Sequence, residues 1–211
     1  MTWLRNNLGL VAELTWAHLW LVIPAVLAAV LIAVPVAYLA VRQPRGGQPV
    51  LSVLTLLYAV PSLPLIVVIP AIFGTGLRSN ATIVIALTAY GIALLVRSAS
   101  DAFAAVDADT RLSARAVGFN RRQMFTKVDL PLAIPVIVSG VRVVAVSTIS
   151  LATIGALVGI SSLGSLITDG FTRAIVIEVL AGIVMTVVLA VVVDLIIVAV
   201  GRMLTPWEAR R

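Results

Sequence analysis

The chain has 211 residues, of which 61% are hydrophobic and 11% charged, with a formal net charge of +6, one histidine and no cysteine. A water-soluble domain cannot hide that much apolar surface, so these numbers point to the bilayer as solvent. They exclude disulfides, thiolate catalysis and sulfur-ligated metal, and leave little material for a metal or acid–base site; the basic excess lies scattered between apolar runs rather than gathered as a nucleic-acid patch.

Residues 1–18 are mixed polar and aromatic, without the form of a cleavable signal, and read as an extracytoplasmic or interfacial segment. Five apolar segments follow: Leu19–Val41, Val50–Phe73, Ala81–Val96, Pro131–Gly159 and Ala174–Val200. Most reach the roughly 20 residues that a helix needs to cross about 30 Å of hydrocarbon, and helices are required because lipid offers the backbone no partners. The breaks have chemical causes. Arg42 to Pro49 combines charge, proline and glycine, and Gly74 to Asn80 is a similar short turn. Gly159 to Arg173 is long enough for a short helix around Leu163–Phe171.

With five crossings, Arg42, Arg45, Arg97, Arg111, Arg115, Arg121, Arg122, Lys127, Arg142, Arg202, Arg210 and Arg211 fall on one side and Arg5, Arg78 and Arg173 on the other. Twelve against three places the C-terminus in the cytoplasm and the N-terminus outside. Trp16 and Trp20 suit the outer interface and Trp207 the inner one.

The segment from Arg111 to Pro131 is polar and basic between two apolar spans. Ser113, Ala114, Val117 and Gly118 share one helical face and are mostly small, so a helix here can approach another surface closely. Phe119, Met124 and Phe125 are large apolar residues in a loop expected to face water, which usually marks a contact surface, with Arg115, Arg121, Arg122 and Lys127 as a charged rim. Read from the residues alone, a basic connector with its aromatics laid back on the lipid interface stands as an equal alternative.

This segment resembles the coupling loop of ABC importer permeases, which runs Glu-Ala-Ala, three residues, Gly, nine residues, Ile-x-Leu-Pro. Ser113 and Ala114 stand at the two Ala positions, Gly118 at the Gly, and Val128-Asp129-Leu130-Pro131 at the Ile-x-Leu-Pro. Leu112 stands where the family carries Glu. The stretches Tyr58 to Leu65, Leu130 to Arg142, Ile154 to Ile167 and Asp194 to Pro206 are similar to permeases that import glycine betaine, choline, carnitine and related osmoprotectants.

The resemblance implies an all-α, five-span permease of the type I importer kind, like that of methionine importers. Residues 19–206 would form the transmembrane domain, 99–130 its cytoplasmic coupling loop and 207–211 a cytoplasmic tail, in a prokaryotic plasma membrane. It implies a second permease subunit, identical or homologous, two ABC ATPase subunits gripping the loop, and a separate extracytoplasmic binding protein. The ATPase-coupling residues would be Ser113, Ala114, Arg115, Val117, Gly118, Phe119, Met124 and Phe125. The chain has no Gly-rich lysine loop, so Mg-ATP would belong to the partner, and no cofactor to this chain. Related amino-acid and methionine permeases share much of this layout and remain an alternative for the cargo. A membrane scaffold without transport leaves the loop unexplained, and an intramembrane enzyme lacks a nucleophile and base.

Within the spans, Pro61 and Pro64 remove backbone donors. They read either as a broken helix at a translocation path, with Tyr58 and Ser62 facing it, or as a packing kink. Ser147, Thr148, Ser150 and Thr153 decorate the fourth span; Thr148 is the candidate path residue, although such hydroxyls also bond back to the helix. Gly155 and Gly159 have the spacing for close helix packing. Arg142 and Asp194, both expected in the inner half of the membrane, read as an ion pair between the fourth and fifth spans. Glu178, near the outer start of the fifth span, reads either as a group that attracts a cationic substrate or, in preference, as an interfacial residue, and His18 reads as interfacial. Tyr38, Tyr90 and Phe73 have faces that suit a quaternary ammonium, although aromatics in spans mostly pack.

Overall fold

The computed structural model describes residues 2–43 and 45–207, and the described residues are helical with no strand. The tail at 208–211, including Arg210 and Arg211, lies outside them. A short α1 (Thr2–Asn6) precedes α2 (Leu8–Val41), which runs 34 residues without a break. The first helix therefore takes in residues 8–18, read from sequence as a separate segment. Trp16 and Trp20 sit together on it, exposed and edge to face at 6.1 Å.

The second apolar segment is two helices, α3 (Gly47–Leu56) and α4 (Ser62–Phe73), joined by a 3-10 turn and bent by 114°. α5 (Asn80–Ala104) starts at the Ser79 cap, whose hydroxyl accepts from the Ala81 amide at 3.2 Å. A Cβ on Gly91 would come within 2.7 Å of the Ala29 Cβ, and Phe103 stacks edge to face on Tyr38. Low numbers on α2 thus meet low numbers on α5, so the two helices run parallel. Since α2 ends at one face of the membrane and α5 begins at the other, the bent pair must carry the chain across. It is one broken span rather than a re-entrant loop, and the chain crosses five times.

After α6 (Ala108–Ala116) and α7 (Arg121–Met124), a π-helical turn over Phe125–Asp129 runs into α8 (Leu130–Ala152). The Leu130 amide donates to Phe125 O, five residues back. That wide turn gives room for Pro131, which brings no donor to the first turn of α8. α8 leans closely on α5 at Gly140, where a Cβ would meet Ser98 Oγ at 2.7 Å. A 3-10 turn (Thr153–Val158) ends at Gly159, whose φ of +85° is left-handed. Gly159 thus caps the turn rather than packing helices; Gly155 is the buried one, against Ile83 and Ile160. α9 (Gly164–Thr172) lies where the sequence suggested a short helix, and α10 (Val176–Leu204) closes the bundle.

Two apolar cores result. One gathers Leu21, Ile83, Ile149, Leu163 and Leu166 at the α9 end, and the other gathers Leu51, Leu95, Phe103, Ile137 and Val144 toward the α6 end.

Candidate functional site

α6 stands at the end of the bundle opposite α9. Asp107 caps it, accepting from the Thr110 amide at 2.8 Å and the Thr110 hydroxyl at 3.0 Å. Those bonds hold the Asp107 carboxyl below the usual aspartate range. Asp109 in the first turn and Arg115 in the last suit the helix dipole. Only Arg111 and Ala114 are half-buried; Leu112, Ser113, Arg115 and Ala116 are exposed. Leu112 on the helix and Val117 at its C-terminal cap are 58% and 79% exposed. Gly118, φ +92°, turns the chain away from α6, a conformation that costs an L side chain about 1–2 kcal/mol. Asn120 and Gln123 then start α7 with reciprocal bonds of 2.9 Å, a capping box.

What fixes α6 to the spans is Asp129, whose side chain is fully buried. Its Oδ2 accepts from Arg42 Nη2 at 2.8 Å and from Tyr38 OH at 3.2 Å, and its Oδ1 accepts from Arg111 Nε at 2.7 Å. Arg111 Nη2 also donates to Phe103 O at 2.6 Å. One carboxylate thereby joins α2, α6 and the foot of α8, and the same arginine reaches α5. Around it, Tyr38 lies 5.2 Å from Phe103 and 4.5 Å from Phe125, ring centre to ring centre.

This corrects the sequence reading of two residues. Met124 is buried and Phe125 half-buried against Tyr38, so both face the bundle and are withdrawn from an outer docking surface. Phe119 is half-buried, with the Lys127 ammonium 6.0 Å from its ring. Ser113, Arg115, Val117 and Gly118 remain on the outside, and Ala114 is at the edge.

The expected ion pair is present. Arg142 and Asp194 meet in a bidentate geometry, Nε to Oδ1 at 2.7 Å and Nη2 to Oδ2 at 2.8 Å. Their side chains are 44% and 24% exposed. With Ser139, Ser147, Val143 and Val146 they line a cavity of about 440 Å³. Leu132, Val136, Ser139, Val143, Val146 and Ser150 form the exposed stripe of α8. Charged groups are costly against lipid, so a stripe carrying this pair and several hydroxyls belongs against water or another protein. Thr148, the sequence candidate for the path, is only 2% exposed and points into the bundle. Of its hydroxyl neighbours, Ser150 is exposed and Ser147 half-buried.

At the break between α3 and α4, Val60 is extended, as a residue before proline tends to be. Its carbonyl accepts from Tyr90 OH on α5, and Tyr90 meets the Tyr58 ring edge to face at 6.2 Å. Tyr58, Pro61 and Pro64 are exposed and Ser62 half-buried around this break, whereas Thr148 is buried on α8. Of the three candidate aromatic faces, Tyr38 and Tyr90 are engaged in the contacts above, while Phe73 is exposed.

Two interfacial assignments are overturned. His18 is fully buried: its Nε2 lies 3.1 Å from Ile149 O and its Nδ1 accepts from the Leu163 amide at 3.4 Å. It ties α2 to the end of α8 and the start of α9. Glu178 is buried at the start of α10, with Oε2 unpartnered. Among the described residues no three His, Asp or Glu side chains come together as a metal site would need.

A family model described as binding-protein-dependent transport system inner membrane component matches residues 25–206. The chain is 33% identical over 209 residues to the osmoprotectant import permease protein OsmW of Salmonella typhimurium, covering 97% of this chain and 96% of that one. It is 32% identical over 156 residues to the carnitine transport permease protein OpuCB of Listeria monocytogenes, covering 74% and 70%. Over 212 residues it is 28% identical to the glycine betaine/carnitine/choline transport system permease protein OpuCD of Bacillus subtilis, covering 100% and 91%. In fold it is similar to a chain of the inward-facing MetNI methionine ABC transporter, with a TM-score of 0.83, 19% identity and coverage of 95% and 98%. A chain of an amino acid ABC transporter gives a TM-score of 0.72 at 18% identity, covering 99% and 97%.

Proposed function

We infer the role of this chain from one premise: it belongs to the family of binding-protein-dependent transport system inner membrane components, matched over residues 25–206. It is a multi-pass membrane subunit of an ABC importer, whose ATP hydrolysis and substrate capture belong to separate subunits. We propose that its cargo is a quaternary-ammonium osmoprotectant of the glycine betaine, choline and carnitine class. The relatives similar in sequence carry those names, whereas the methionine and amino-acid transporters are similar in fold alone.

The observation that carries the mechanism is the Asp129 clamp on an exposed α6. In this reading α6 seats in a groove of the ATPase through Leu112, Ser113, Val117 and Gly118. A second permease subunit, identical or homologous, opposes the exposed stripe of α8, and the path runs between them past Ser139, Arg142 and Ser147. The α6 end is cytoplasmic and the α9 end faces the binding protein, as the basic residues argue. When the ATPases close on ATP, α6 moves with them. Asp129 passes that displacement to α2 and α8 together, because a buried, charge-assisted triad yields less readily than the apolar contacts around it. The spans then exchange inward-open for outward-open, a two-state element that nucleotide and substrate both bias.

The test is purification of the chain with its co-purifying subunits, reconstitution in vesicles, and uptake of labelled glycine betaine, choline and carnitine beside methionine and histidine. ATP-dependent uptake of the quaternary ammoniums alone is expected. Uptake of methionine or histidine in their place overturns the cargo, and stable absence of any ATPase subunit overturns the mechanism.

A further inference from the structure

We propose that the hollow behind α6 is a binding site for the phosphate headgroup of an anionic phospholipid. A cavity of about 770 Å³ lies between the end of α2 and the loop after α6, lined by Tyr38, Leu39, Arg42, Arg115, Phe119, Arg121 and their neighbours. Three guanidiniums and no carboxylate face it. Arg42 is already positioned: Asp129 holds its Nη2, and its guanidinium lies 4.4 Å from the centre of the Tyr38 ring. Arg115 and Arg121 have no acidic partner among the described residues. Two cations without an acidic partner among the described residues, beside a fixed third, match a phosphate group, which takes several charge-assisted bonds at once.

The cavity adjoins the surface that would seat in an ATPase and shares Arg115 with it. Arg115 is exposed and lies one turn beyond Arg111, at the edge of α6 that borders Tyr38 and Arg42, and Leu112 and Val117 are exposed as well. Its other wall is Leu39, 59% exposed, at the end of an α2 face that also exposes Leu27 and Leu31. A basic hollow continuous with a lipid-facing helix suits a ligand with a charged head and an apolar tail, and basic pockets of this kind at membrane interfaces take anionic headgroups. A lipid seated there would brace α6 against α2, so membrane composition would tune the coupling geometry. This inference rests on the membrane placement of α2 and not on the nature of the cargo.

The experiment uses the full chain with its co-purifying subunits in nanodiscs of phosphatidylcholine containing a minority of phosphatidylglycerol, with retained lipid counted by native mass spectrometry. Wild type should retain phosphatidylglycerol, and the Arg115→Gln, Arg121→Gln double variant should lose that retention roughly tenfold. Thermal unfolding of the variant checks that it is folded, and Arg121→Gln alone serves if the double variant is not. Equal retention by a folded variant overturns the proposal. So does displacement of the lipid by millimolar inorganic phosphate, which would assign the site to a soluble anion. Loss of the ATPase from the variant with lipid retention unchanged assigns the arginines to an acidic protein surface and also overturns it.

Discussion

Arg111 Nε stands 2.7 Å from Asp129 Oδ1, so the first turn of α6 is bonded to the foot of a transmembrane helix eighteen residues further along the chain. Asp129→Ala leaves two arginines facing a buried hole. Since both are partly exposed and can turn to water, the cost should be at the low end for a broken buried pair, about 3 kcal/mol. The expected result is a lower unfolding temperature in detergent, together with ATP hydrolysis that no longer responds to substrate. A variant that keeps substrate-stimulated hydrolysis would show that α6 is held by something other than this clamp.

Gly118 tests the corner rather than the clamp. Its Cβ position is open, with nothing within 4 Å, so the only obstacle to Gly118→Ala is the positive φ. That substitution should cost about 1 kcal/mol and weaken coupling in part. Gly118→Trp adds bulk on the outer face and should abolish docking. Normal substrate-stimulated ATPase activity in the tryptophan variant would count against α6 as the docking element.

For the pair of Arg142 and Asp194, Asp194→Asn should reduce both assembly and uptake, and the reversed pair R142D/D194R should recover assembly better than either single change. Assembly is read by size-exclusion profile and uptake by labelled substrate. Unchanged assembly and transport in Asp194→Asn would make the pair dispensable.

His18→Phe removes both bonds of the imidazole and leaves the Leu163 amide without its partner. An orphaned buried donor costs about 1–3 kcal/mol. Faster hydrogen exchange confined to residues 160–172 is the expected signature. Unaltered exchange there would show that α9 is held by apolar packing alone.

The spans were legible because apolar length alone distinguishes them, and α9 because the stretch from Gly159 to Arg173 is long enough to hold a short helix. The motif around Gly118 was legible for a similar reason, since its spacing lies within one local segment. Asp129 was not singled out, because its partners lie 87 and 18 residues away and its own surroundings, Val128 and Leu130, read only as the approach to a span. A carboxylate between apolar residues at a helix foot was the available signal. Thr148 failed for want of a rotation: each residue turns a helix by about 100°, so neighbouring hydroxyls face different ways until packing fixes which face is inside. His18 and Glu178 were misplaced because a position near the end of a span suggests water, whereas here α9 folds over that end of the bundle.

The break between α3 and α4 constrains how the chain enters a bilayer. With 10 and 12 residues the two halves are about 15 Å and 18 Å long, too short for either to traverse the hydrocarbon by itself. The extended joint leaves backbone groups that lipid cannot satisfy, and one of them, Val60 O, is satisfied by a tyrosine that is synthesised later. Stable insertion of this segment thus waits for α5, and nascent chains truncated before Tyr90 should leave it extractable by alkali while longer ones hold it fast.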